Sequence, residues 1–295
     1  MDRVEKEIAR IIKEIDCKDV TRLFESLAGG KRLRAKLVLK IASQSTEAPL
    51  LAAIVELIHA ASLLHDDVID DAELRRGVPS VNATEGSKTA VMLGDVLYSK
   101  AFTELVSFDK EIARIVASSV TALSKGEMQD VSLAKKFNSN EMLYLEMLYL
   151  KTATLIEAAA HASALLVGKD AQKYALYGKN LGLSFQIIDD ILDITSDEAT
   201  LGKPAMNDFV EGKCTLPYIY LYKALPVDEK QRLEFSHAKK ISVEESAWIV
   251  EKMQEYKTIE KSFILAKELS NEAMNAVADD AELVAILEIM IQRSY

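Results

Sequence analysis

Leu50-Leu51-Ala52-Ala53-Ile54-Val55-Glu56-Leu57-Ile58-His59-Ala60-Ala61-Ser62-Leu63-Leu64-His65-Asp66-Asp67-Val68-Ile69-Asp70-Asp71 is the stretch on which the reading turns. It holds no glycine or proline, and its apolar residues run on long past the length of a strand. It therefore predicts a helix with acids at its C-terminal end. Outward from it the chain repeats the same character. Val4, Ile8, Ile11, Ile12 and Ile15 keep helical spacing, Glu141 to Ala164 is a run of helix formers, and Ala281 to Ile291 is amphipathic. With only 11 glycines and 5 prolines in 295 residues, there are too few turn residues for many hairpins. The expectation is an all-α, single-domain bundle of roughly ten or more helices spanning 1–295, with brief breaks at Gly29-Gly30, Ala48-Pro49, Gly77-Val78-Pro79, Gly202-Lys203-Pro204, Gly212 and Pro226.

Bulk properties narrow the function. The chain is 49% hydrophobic and 28% charged, enough apolar residue to build a core. A formal net charge of −10 argues against nucleic acid as a partner. Cys17 and Cys214 make no disulfide framework, and the N-terminus is polar from its start, so a cytoplasmic location is expected. The best apolar stretch, Leu50 to Leu64, is interrupted by Glu56 and His59 and reads as too short to span a bilayer.

The acids at the end of that stretch recur. Asp66-Asp67-Val68-Ile69-Asp70 is matched 123 residues later by Asp189-Asp190-Ile191-Leu192-Asp193, each closing an apolar run. At i and i+4 on a helix, Asp66 and Asp70 share a face, as do Asp189 and Asp193. Like charges at that spacing repel, and near a helix C-terminus they also oppose the dipole. A hard cation offsets both costs. Mg²⁺ takes one or two carboxylates together with substrate phosphates, so the pattern points to metal bridging protein and phosphate. The alternating ligands and central glycine of a calcium loop are missing from both clusters.

Cations follow the acids: Arg75-Arg76 beside Gly77, Lys203 beside Gly202, Lys213 beside Gly212, Lys151-Thr152 inside an apolar helix, and Lys31, Arg32, Arg34 and Lys36 after Gly29-Gly30. Together with the acids they describe a site for a substrate pair carrying several phosphates. His59 lies seven residues before Asp66 and so on roughly its face. No phosphate loop, dinucleotide fingerprint, nucleophile elbow or CxxC pair is present in the sequence.

In order along the chain, Gly29-Gly30-Lys31-Arg32-Leu33-Arg34, Ser62-Leu63-Leu64-His65-Asp66-Asp67-Val68-Ile69-Asp70, Arg75-Arg76-Gly77, Gly94-Asp95, Lys151-Thr152, Phe185-Gln186-Ile187-Ile188-Asp189-Asp190-Ile191-Leu192-Asp193, Gly202-Lys203-Pro204 and Gly212-Lys213 resemble the trans-isoprenyl diphosphate synthases, or polyprenyl synthetases. Ala35 departs from the pattern, since many relatives have proline there.

The resemblance implies an all-α homodimer with a deep cavity, and Mg²⁺-dependent, head-to-tail condensation of isopentenyl diphosphate with an allylic diphosphate. It implies that Asp66, Asp67 and Asp70, with Asp189, Asp190 and Asp193, hold metal, and geometry favours Asp66, Asp70 and Asp189 as direct ligands. Arg75, Lys151, Thr152, Gln186, Lys203 and Lys213 would contact the allylic diphosphate, and Lys31, Arg34, His59 and Arg76 isopentenyl diphosphate. Asp66, Asp70, Asp189, Lys151 and Lys203 would carry catalysis, with the released diphosphate as proton acceptor. Ala61 and Ser62, small residues upstream of Asp66, leave the mouth of a product tunnel open, which leans toward a medium- or long-chain synthase of the octaprenyl type. A short-chain farnesyl or geranylgeranyl synthase, and less readily a non-catalytic partner subunit, are the alternatives. Terpene cyclases and head-to-head synthases fit less well, because the second Asp-rich motif and the rest of the pattern argue against them.

Overall fold

A computed structural model describes residues 1–27, 29–195 and 206–292. The described chain is almost wholly helical, as the scarcity of turn residues predicts. Helices α1 (Asp2–Glu14), α2 (Lys18–Ser26), α3 (Leu33–Ile41) and α4 (Ala48–Ile69) open it. They are followed by α5 (Val81–Glu85), α6 (Ser87–Leu105), α7 (Lys110–Leu133) and α8 (Glu141–Leu148). After a π-helical turn (Tyr149–Ala153) come α9 (Thr154–Leu166) and α10 (Ala171–Thr195), then α11 (Asn207–Val210), α12 (Leu216–Ala224), α13 (Val227–Ser236), α14 (Val243–Glu255), α15 (Thr258–Ala276) and α16 (Ala281–Gln292).

The chain divides into two compact units, Met1–Thr121 with Leu155–Gly178, and Ala122–Thr154 with Lys179–Tyr295. The divisions fall inside α7, at the start of α9 and inside α10, and not at Pro226, which lies within the second unit.

In the first unit α4 is the core helix. It is 22 residues long, so the expectation that its apolar run is too short for a membrane span is corrected. By length and hydropathy it qualifies, while two-thirds of its most apolar window is buried within the protein. Ile54, Leu57, Ile58, Ala61 and Leu64 are fully buried, worth ~1.5–3 kcal/mol for each large side chain. Ala48-Pro49 begins this helix instead of breaking it, because proline in the first turn loses no helical bond.

Glu56, the acid that interrupts the run, has a structural duty. Its carboxylate accepts from the Ala35 amide at 2.9 Å and from Arg32 Nη1 at 3.3 Å, satisfying an orphan donor in the first turn of α3. A proline at position 35 could not make that bond. α1 buries Val4, Ile8, Ile11 and Ile12, the residues its periodicity selects.

In the second unit Phe209, Tyr218, Leu221, Leu233, Ile249 and Met253 form one buried cluster drawn from α11 to α14. The segment after Pro226 therefore shares a core with what precedes it. The run from Glu141 is helical, but its hydrogen bonding widens to the π pattern at Tyr149–Ala153.

Candidate active site

Asp66 and Asp67 end α4 and Asp70 caps it, its amide donating to the Asp66 carbonyl at 2.8 Å. Asp66 is half-buried and Asp70 exposed, whereas Asp67 is buried. Asp67 turns to Arg75, whose Nε donates to it at 2.6 Å. Burial pushes the Asp67 carboxyl upward from the ordinary range, and Arg75 opposes part of that shift.

Arg75 reaches there from a small hairpin, the only sheet among the described residues, in which Leu74 faces Pro79 and Arg75 faces Val78. The two loop residues, Arg76 and Gly77, have φ of 54° and 78°, the left-handed pair that a tight two-residue hairpin demands. That turn presents Arg76, whose Nη1 donates to the Gly29 carbonyl at 3.1 Å. A Cβ on Gly30 would stand 2.6 Å from the same nitrogen. Two of the sequence motifs, 47 residues apart, are thereby brought together.

Arg34 and His59 belong to this neighbourhood. The Arg34 Nε is buried without a hydrogen-bond partner, and burial lowers its guanidinium to about 10. The His59 imidazole lies well below its usual 6.5, first through burial and then through the fields of Arg34, Arg76, Arg75 and Arg32. It is neutral at physiological pH, amid four guanidiniums. Lys31 is exposed. Ala61 is fully buried, and Ser62 is half-buried with its hydroxyl on the His59 carbonyl at 2.9 Å.

In the second unit, α10 carries the other acids. Asp189 is exposed, and Asp190 and Asp193 are buried. Asp190 accepts from the Tyr144 hydroxyl and from Gln186 Nε2 at 3.0 Å, while Thr152 Oγ1 donates to Gln186 Oε1 at 3.2 Å. Burial and the neighbouring Asp208 push the Asp190 carboxyl far above the carboxylate range. One Asp193 oxygen accepts from the Asp208 amide at 3.2 Å.

Tyr144 and Asp190 border an open cavity of about 120 Å³ whose wall also includes Lys151, Thr152, Gln186, Asp208 and Lys213. Gly212 holds φ at 90° and packs so close to the residue that follows α7 that a Cβ would lie 2.6 Å from the Ala134 carbonyl oxygen. The turn at Gly212-Lys213 is pinned in this way. Lys213 pairs with Glu211 at 2.7 Å. Lys151 is held by Asp130 at 2.6 Å and Glu127 at 2.9 Å. Although burial lowers its ammonium, the two carboxylates outweigh that and keep it firmly charged. Lys203 lies outside the described residues.

Five of the sequence-selected residues thus share one wall. Tyr144, Asp208, Asp130 and Glu127 are additions that the sequence reading missed. Gly126, a glycine inside a helical run, was the one local signal available for them.

Residues 18–280 match the family model described as Polyprenyl synthetase. The chain is 37% identical over 246 residues to a short chain isoprenyl diphosphate synthase of Methanothermobacter thermautotrophicus, covering 79% of this chain and 76% of that one. It is 32% identical over 286 residues to an octaprenyl diphosphate synthase of Haemophilus influenzae, covering 90% and 85%. Among solved structures, octaprenyl pyrophosphate synthase from Helicobacter pylori superposes with a TM-score of 0.92 at 43% identity, over 99% of this chain and 96% of that one. A match over nearly the whole chain, on a helical frame that puts the expected acids and cations beside one another within each unit, makes this protein an enzyme of the polyprenyl synthetase family, a prenyltransferase.

Proposed function

We propose that the enzyme condenses isopentenyl diphosphate head-to-tail with an allylic diphosphate and repeats the step to a medium- or long-chain trans-polyprenyl diphosphate. The observation that carries the reading is the neutral His59 among Arg32, Arg34, Arg75 and Arg76, with an Arg34 Nε that has no hydrogen-bond partner. The Arg34 Nε is buried without a partner in the field of the neighbouring guanidiniums, and a bound polyanion relieves that cost. Lys31, Arg34, His59 and Arg76 would hold isopentenyl diphosphate. Arg75, Lys151, Thr152, Gln186, Lys203 and Lys213 would hold the allylic diphosphate.

The acids fit Mg²⁺. They offer hard oxygens, and among the described residues no three His, Cys, Asp or Glu side chains are grouped so as to hold a metal alone. That suits an ion which takes one or two carboxylates and completes its shell with phosphate and water. Asp66, Asp67 and Asp70 would hold it in one unit and Asp189, Asp190 and Asp193 in the other. Direct ligation would fall on Asp66, Asp70 and Asp189, the three more open acids. When bound, Mg²⁺ neutralises charge that builds on the departing diphosphate. Lys151 and Lys213 face the same charge from fixed positions, and Gln186 and Thr152 orient the diphosphate through hydrogen bonds. Burial of the allylic tail keeps water from the carbocation.

The chain works as one catalytic domain, as a homodimer in the cytoplasm. Long product is favoured by the small Ala61 and Ser62, and by the 43% identity to a structure titled octaprenyl pyrophosphate synthase. The second reading, a short-chain synthase, is favoured by the relative of that name at 37%.

Incubating the purified protein with both diphosphates and Mg²⁺, then sizing the products, separates the readings. Chains beyond about 25 carbons support the proposal, and a stop at about 15 or 20 carbons supports the short-chain reading. Without condensation the chain is a partner subunit.

A further inference from the structure

Lys151 stands on a turn that departs from α-helix. At Tyr149–Ala153 the hydrogen bonds take the π pattern, which leaves one residue more in the turn and re-aims the side chains on it. Helix α7 meets this turn backbone to backbone. A Cβ on Gly126 would stand 2.7 Å from the Leu150 carbonyl carbon and 2.8 Å from the Lys151 Cα, closer than any real Cβ comes to main chain.

From the next residue and from one turn further along α7, Glu127 and Asp130 reach the Lys151 ammonium at 2.9 and 2.6 Å. Both carboxylate side chains are nearly buried, at 12% and 9% exposure, and the lysine is at 23%. Two carboxylates on one ammonium are more than charge balance needs, since the trio carries a formal charge of −1. An arrangement meant only to attract an anion would leave the lysine less countered. Two anchors from one helix face instead fix where the end of a long, flexible side chain sits. A cation fixed before charge develops is worth more to a transition state than one that must be brought into place.

We propose that Gly126, Glu127 and Asp130 are positioning residues for the allylic diphosphate site. The glycine admits the π turn against α7, and the two acids hold the Lys151 ammonium at the cavity wall beside Thr152 and Gln186. The proposal rests on the reading of Lys151 as a diphosphate contact and deepens it. The three residues act through Lys151.

The test is steady-state kinetics with each substrate varied in turn, on variants whose helical circular dichroism and melting match the parent. Glu127→Ala and Asp130→Ala are expected to lower kcat/KM for the allylic diphosphate by about tenfold each, the size of coupling usual between residues in contact. KM for isopentenyl diphosphate should stay within about twofold. Glu127→Gln, which keeps an acceptor oxygen, should restore most of the loss. In a Lys151→Ala background, Glu127→Ala should cost nothing more. Gly126→Ala carries no charge change and should give the same allylic-selective loss by displacing the turn. If an alanine variant fails to fold, the isosteric Asp130→Asn replaces it, with a loss of about threefold or more expected.

Allylic kinetics that stay normal in folded Glu127→Ala and Asp130→Ala, while Lys151→Ala is impaired, overturn the proposal. So does a loss that persists undiminished in the Lys151→Ala background. If Lys151→Ala itself is normal, the diphosphate reading of Lys151 fails first, and the positioning role fails with it.

Discussion

The two acidic clusters are spelled alike and housed differently. Each has acids at i, i+1 and i+4 near a helix C-terminus, and in each the middle acid is buried. In α4 the middle acid, Asp67, meets a guanidinium from a hairpin eight residues on. In α10 the middle acid, Asp190, meets a phenol and an amide, with Asp208 close enough to raise it further. The last acid differs as well, since Asp70 is exposed and Asp193 is buried against the Asp208 amide. Spacing puts side chains on a helix face; the neighbours that α4 and α10 bring decide how far each acid is exposed. Asp66 is half-buried and Asp70 and Asp189 are exposed, while Asp67, Asp190 and Asp193 are buried and tie their helices to what surrounds them.

The largest effects should fall on the open acids. Asp66→Ala and Asp189→Ala are each expected to lower kcat by at least ~10²–10³ with the helical circular dichroism unchanged. Near-normal turnover in either variant would reduce that cluster to a solvated acidic face. Next come the cations. Arg34→Ala should raise KM for isopentenyl diphosphate about tenfold to a hundredfold and spare the allylic substrate, and Lys213→Ala should do the reverse. Each loss is that of one charge-assisted contact, ~1.5–3 kcal/mol. Equal effects on both substrates would mean that Arg34 and Lys213 do not divide the substrates as proposed.

The smallest effect sharpens the contrast between the middle acids. Both carboxyls are raised in the folded protein, so each binds its proton more tightly folded than unfolded. Stability from that source is complete below the unfolded carboxylate range, near pH 4, and is lost as pH rises toward the folded value. Asn removes that loss. In metal-free protein, Asp190→Asn should therefore gain stability relative to the parent as pH goes from 4 to 7. Asp67→Asn should gain less, because Arg75 already offsets part of the penalty. Denaturant unfolding at the two pH values checks this, and an equal or larger gain for Asp67→Asn would contradict the contrast.

Much of this was legible in the sequence, for identifiable reasons. Helical periodicity is local, so α1, α4 and the all-α architecture follow from residues a few positions apart. The clusters were legible because like charges at i, i+4 are a cost that sequence alone displays. What could not be read depends on partners far along the chain. Arg75 could be named as a cation but not as the partner of Asp67. Glu56 reads as an interruption until the Ala35 amide arrives from 21 residues away. Glu127 and Asp130 read as an ordinary helix surface until Lys151 meets them, and the π turn leaves no mark that propensity can detect. The length of α4 was misjudged because polar residues on it were counted as breaks, although the surrounding fold satisfies Glu56 and keeps His59 neutral.

The claim beneath the proposed function is that the first unit holds a cluster of guanidiniums around His59 formed in advance of its ligand, and His59 reports on it directly. Its ring can be titrated by NMR in the free protein, assigned by its absence in His59→Asn, and titrated again with saturating isopentenyl diphosphate. The account predicts a titration well below the usual 6.5 in the free protein, because burial and four guanidiniums oppose protonation, and a clear upward shift once the diphosphate brings its negative charge among them. An imidazole that titrates near 6.5 and does not respond to the diphosphate would contradict it.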